Sequence, residues 1–151
     1  MVPAIVALVW FGMLVGVSFL ATPVKFVVQD LSLAAALQVG QATFGLFTKV
    51  EWGLAAALVA ASGLGWRTRP LVLALALFLA ISVIAQARWL LPALDGRVTA
   101  IVAGETPPPS AHHAIYAGLE AAKALMLAVL AFLALRRQRH SGSTDHAAHV
   151  A

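Results

Sequence analysis

The chain has 151 residues, of which 62% are apolar and 11% charged, with a formal net charge of +4. A soluble domain carries about 25% charged residues, so the composition excludes an ordinary water-soluble fold and points to one small polytopic membrane domain. There is no cysteine, which excludes disulfides, thiol redox chemistry and cysteine-ligated zinc or iron–sulfur centres.

A membrane-crossing helix needs about 20 mostly apolar residues. Four stretches meet that length: Ala4 to Pro23, Val39 to Ala61, Leu71 to Leu91 and Ala114 to Leu135. They are continuous Ala/Leu/Val runs rather than short alternating segments, so they read as helices and not as barrel strands. The expected architecture is an all-α four-helix bundle over residues 1–135, followed by a polar, disordered tail at 136–151.

In chain order, the first run lacks a preceding Lys or Arg and has Phe19 where a cleavage site would want a small residue. It reads as a retained helix and not a signal peptide. Gly12 and Gly16 form a GxxxG, expected to serve packing inside the bundle. Thr22-Pro23 kinks or ends this helix. Asp30 or Ser32 is placed to cap the second helix, which begins near Leu33. Ser62-Gly63-Leu64-Gly65 ends it, and Pro70 suits the first turn of the third. Pro92 is expected to close the third helix, with Asp95-Gly96 as a turn. Val98, Ile101 and Val102 then form a short amphipathic piece on the membrane surface. After the stiff Pro107-Pro108-Pro109 spacer, Ser110 reads as the cap of the fourth helix.

Arg67, Arg69, Arg136, Arg137 and Arg139 fall on one side of these spans. Positive residues stay cytoplasmic, so both termini are expected inside a plasma or inner membrane, in a multi-pass topology. Trp66 and Trp89 lie near span ends, as interfacial tryptophans do. The basic charge follows topology and forms no separate domain, so no nucleic-acid partner is expected.

Ionisable residues inside a span cost at least about 2.5–3.5 kcal/mol at its centre unless partnered. Lys49 and Glu51 lie about 15 and 18 Å into the second span, and Glu120 and Lys123 about 9 and 14 Å into the fourth. At about 100° per residue, Lys49 and Glu51 point about 200° apart. Lys49 shares a small-residue face with Ala42, Gly45, Gly53 and Ala56, the type that packs closely on another helix. His113, Tyr116, Glu120 and Lys123 form one stripe on the fourth helix. The simplest pairing is Lys49 with Glu120, leaving Glu51 to Lys123 or Arg88. Arg88 and Lys25 sit near the outer boundary, where snorkelling accounts for both.

His112 and His113 open the fourth helix. No other span holds a histidine, so two histidines on facing helices of one chain cannot hold a haem. A metal at this pair, assisted by Glu120, is the weaker alternative. His140, His146 and His149 belong to the solvated tail. Signatures of di-iron carboxylate bundles, phosphate-binding loops and nucleophile elbows are missing from the sequence.

With the spans placed, the chain resembles the transmembrane-protein-205-like family of small four-helix membrane proteins. The resembling stretches are Ala21-Thr22-Pro23-Val24-Lys25-Phe26, Gly40-Gln41-Ala42-Thr43-Phe44-Gly45-Leu46-Phe47 and a histidine, His113, at the start of the last helix. The resemblance spans most of the chain through short motifs, and it implies a membrane protein without an established activity. The expected role is therefore a non-enzymatic structural, accessory or interaction protein with a buried ion-pair core and no cofactor. Its partners would be the lipid bilayer and a homo-oligomer or larger membrane complex. The alternatives are a proton- or cation-coupled transporter using Glu51 and Glu120, and a metal- or cofactor-binding redox subunit using His112 and His113.

Overall fold

The computed structural model describes residues 1–65, 67 and 69–148, with side chains up to Arg136. The elements are α1 (Val2–Leu14), a π-helical segment π1 (Val15–Ala21), the single turn α2 (Thr22–Val24), α3 (Leu33–Gly63), α4 (Pro70–Ala85), π2 (Gln86–Leu90), α5 (Leu91–Val102) and α6 (His112–Ala148). No strand occurs among the described residues. Together they make four helices long and apolar enough to cross a membrane: Val2–Val24, Leu33–Gly63, Pro70–Val102 and His112–Arg136.

Local chemistry sets most boundaries. Ser32 caps α3 by accepting the Ala35 amide at 3.2 Å. Asp30, in the preceding turn, holds a left-handed φ of 66°, a conformation that Asp tolerates better than most residues. Pro70 opens α4, where the absent N–H has no helical acceptor to lose. Gly104, at φ 86°, lets the chain leave α5.

The third helix differs from its sequence reading. It continues past Pro92 to Val102, and Asp95-Gly96 lies inside α5 rather than in a turn. The reason is π2. A proline ring collides with the carbonyl four residues back and removes one ladder donor. A wide π turn immediately before Leu91-Pro92 shifts that carbonyl away, so the helix passes the proline without breaking. The same device recurs in the first helix, where π1 immediately precedes Thr22-Pro23. There the Val17 carbonyl accepts both the Thr22 amide and its hydroxyl, the latter at 2.8 Å. Ser110 also differs: α6 starts at His112, one residue later than a Ser110 cap requires. The assigned α6 runs on through Ala148, where the sequence predicts an irregular tail. Trp66 and His149 lie outside the described residues, as do the side chains of His140 and His146.

α1 packs against α3 and α6, and α4 packs against the same two helices. With successive long helices antiparallel, α3 and α6 face each other across the centre of the bundle. One end of the bundle carries the N-terminus, the end of α3 and the start of α4; the other carries the 25–32 and 103–111 connections. The terminal half is apolar. Trp10, Leu14, Leu58, Leu79, Val83, Leu127 and Leu130 are fully buried there.

The GxxxG does not serve this interior. A Cβ placed on Gly12 or Gly16 meets nothing within 4 Å. Glycine costs roughly 0.5–1 kcal/mol against alanine in a helix interior. The Gly12→Ala/Gly16→Ala double variant should therefore unfold at the same temperature as the parent or higher. A lowered midpoint would show that the glycines are packed after all.

Candidate functional site

Halfway along the bundle the apolar core gives way to a polar cluster. Lys123 on α6 projects to the bundle centre. Its ammonium lies 2.6 Å from Glu51 Oε1 on α3 and 2.7 Å from Glu120 Oε1, one turn earlier on its own helix. All three residues are 1% exposed. Three further side chains complete the ring. The Trp10 indole N–H on α1 donates to Glu51 Oε1 at 3.1 Å. The Gln86 amide in π2 donates to Glu120 Oε1 at 2.9 Å, and the Ser18 hydroxyl in π1 donates to Glu120 Oε2 at 2.7 Å. All four long helices thus contribute to one hydrogen-bonded knot.

Both π segments supply a donor to the same carboxylate. A π turn rotates the residues after it by the angle of one extra residue, and such bulges occur often at functional sites. Here Ser18 lies within π1 and Gln86 opens π2, and both donate to Glu120. By contrast Ser82, in the regular part of the third helix, donates to the Phe78 carbonyl on its own helix at 2.9 Å and joins nothing.

The pairing differs from the simplest reading of the sequence. Lys49 does not meet Glu120. It is exposed on the outer side of α3, while Glu51 faces the centre. The small-residue face is open: a Cβ on Gly45 or Gly53 meets nothing within 4 Å. Glu51 turns inward with Thr48 and Leu58, both buried. Arg88 is exposed and joins no ion pair among the described residues. Tyr116 is buried one turn before Glu120, its ring edge-on to Phe44 at 5.2 Å.

The two histidines diverge. His112 turns to Trp89, with ring centres 6.3 Å apart, and its Nδ1 is buried without a hydrogen-bond partner among the described residues. His113 is exposed and lines two cavities. Among the described residues no three His, Cys, Asp or Glu side chains group as a metal site.

Trp10, Ser18 and Gln86 stand outside the charge pattern that marks the cluster in the sequence. A buried indole N–H wants an acceptor, and a glutamine in an apolar helix wants a partner. Those two rules mark Trp10 and Gln86 as residues in need of a buried carboxylate. Nothing in the sequence distinguishes Ser18 from Ser82.

Two cavities adjoin the cluster toward the loop end. A cavity of about 270 Å³ is bounded by Ser18, Thr22, Phe44, His113, Tyr116 and Glu120. A second, of about 190 Å³, shares Thr22, Phe26, Phe44 and His113 with it and continues toward Lys25 and Arg97. Glu120 therefore borders the inner part of a vestibule formed by the two cavities, with the apolar half of the bundle on its other side.

Comparison with protein-family models, characterised proteins and solved structures finds no match to this chain.

Two substitutions separate the knot from the outward lysine. Trp10→Phe removes a donor to a buried carboxylate and should cost about 1.5–3 kcal/mol. Lys49→Leu should cost nothing. Thermal unfolding in one detergent checks both, and equal losses would contradict the assignment of Lys49 to the outer face.

Proposed function

We propose that this chain is a multi-pass protein of a plasma or inner membrane, with both termini cytoplasmic, that takes up a proton or small cation on the Glu51/Lys123/Glu120 cluster. The orientation is supported by the five arginines of the terminal end, Arg67, Arg69, Arg136, Arg137 and Arg139, because positive loops stay cytoplasmic. The vestibule then opens to the outer face. The functional class is a small proton- or cation-coupled carrier without enzymatic chemistry.

The observation that carries this reading is a charge imbalance. Two buried carboxylates share one ammonium. With all three ionised the cluster holds a net charge of −1, which a low-dielectric interior tolerates poorly. One further positive charge completes it. The Gln86 carbonyl oxygen adds to the case, being buried and accepting no hydrogen bond from any described residue. Glu120 borders the vestibule, so the missing charge has a route from one side.

A second reading, a structural or accessory subunit, is favoured by how well the carboxylates are held. Trp10, Gln86, Ser18 and Lys123 all donate to them, and such polar contacts are common glue between membrane helices.

Flux separates the two. Purified protein in liposomes with an internal pH dye, driven by a potassium diffusion potential, should acidify or alkalinise the lumen faster than empty vesicles. Glu120→Gln should abolish the difference and Lys49→Leu should keep it. Parent vesicles indistinguishable from empty ones, in sodium as well as in proton gradients, would leave the accessory reading standing.

A further inference from the structure

The outer part of the vestibule has a chemistry of its own. It is the cavity of about 190 Å³ between the turn after α2, the start of α3 and one face of α5. Its polar rim carries Lys25, Arg97, Asp95, Gln41 and His113, and its walls are Leu37, Phe44, Leu91, Leu94, Val98 and Ile101. The rim is cationic overall. Lys25 and Arg97 outnumber the single carboxylate, Asp95, and Arg97 donates to the Pro108 carbonyl. Lys25 makes no hydrogen bond or ion pair among the described residues.

The position of Lys25 is unusual for a boundary lysine. It does not extend toward solvent. Its ammonium folds inward and occupies the space where a side chain at Gly40 would begin. It stands 5.0 Å from the Phe26 ring centre and 6.0 Å from that of Phe44. No carboxylate of a described residue lies within ion-pair distance of it. Partial burial lowers its pKa from the ordinary lysine value, as expected for an ammonium that has lost part of its water and gained no anion. Glycine at position 40 is what permits this inward fold, since any other residue would displace the ammonium.

We propose that this cavity binds a small organic anion, its carboxylate or phosphate against Lys25 and Arg97 and its apolar body against Phe44 and the α5 wall. Size limits the body. An engineered cavity of about 150 Å³ takes up benzene, so about 190 Å³ admits one ring or a short chain beside the charged group. The adjoining cavity leads from this anion to Glu120, which places the bound anion and the exchangeable positive charge in one vestibule. The substrate of the carrier is then an anion accompanied by that charge. This assignment rests on the carrier reading for its transport meaning, but binding is measured at equilibrium and needs no flux. The same chemistry can be presented by a free solute or by a lipid headgroup with its acyl chain.

The test is calorimetric titration of sodium benzoate into the full chain in a neutral detergent, with benzyl alcohol as the uncharged control. The expected result is one saturable benzoate site and no comparable site for the alcohol. Lys25→Met should weaken binding at least about tenfold, as for loss of a charge-assisted contact. Gly40→Ala keeps every charge but displaces the ammonium, and should weaken it similarly. Lys49→Leu, on the outer face of α3, should leave it unchanged. Repeating the titration with an anionic phospholipid in the micelles identifies the source. Competition points to a lipid headgroup, and its absence to a free solute. No saturable benzoate binding, equal binding by benzyl alcohol, or full binding by folded Lys25→Met would each overturn the proposal. If binding fails while proton flux persists, the anion site is wrong and the carrier reading survives; the reverse pattern separates them the other way.

Discussion

One ammonium held between two carboxylates organises this protein. Lys123 on α6 is buried with Glu51 across the bundle and Glu120 on its own helix. An isolated buried charge costs several kcal/mol even after relaxation, so these three side chains must stay together. That requirement fixes how α3 and α6 rotate about their axes. It also fixes how deep each helix sits against the other, because a one-residue shift along either would separate the charges. The surrounding apolar residues fill space well, but Leu, Val and Ala set no register of their own in a helix that is apolar all round.

The irregular turns follow from the same constraint. A regular helix presents a residue every 100° or so, and the first and third helices need a polar atom aimed at Glu120. Those atoms come from the two π segments, Ser18 within π1 and Gln86 at the start of π2. Each is followed within two residues by a proline, Pro23 or Pro92, whose ring collides with a regular preceding turn and is eased by a wide one. The proline and the π turn are thus two sides of one local geometry. That geometry sits at the boundary between the sealed apolar half and the open vestibule.

Much of the fold is legible in the residues. The four long apolar runs, the Ser32 cap and the Pro70 start are readable because they depend on local chemistry alone. The angular separation of Lys49 and Glu51 is readable too, being helical arithmetic. Which of them faces inward is not. Gly45 and Gly53 beside Lys49 resemble a packing face, yet that face is open, and the buried face carries Thr48 and Leu58. Rotation about the helix axis is decided by partners on other helices, which spacing within one helix does not reveal. For the same reason Pro92 reads as a stop. The π turn that carries the helix past it begins at Gln86, whose partner is a carboxylate 34 residues away.

The central claim is that two carboxylates depend on a single lysine, and that the carboxylates are in excess. The thermal unfolding midpoints of Lys123→Met and Glu120→Gln, measured side by side in one detergent, test it most directly. Lys123→Met strands two buried carboxylates and should cost about 3–5 kcal/mol. Glu120→Gln leaves Lys123 paired one-to-one with Glu51, still beside Ser18 and Gln86, and should cost less than about 1 kcal/mol. Equal losses from the two variants, or a larger loss from Glu120→Gln, would contradict the account.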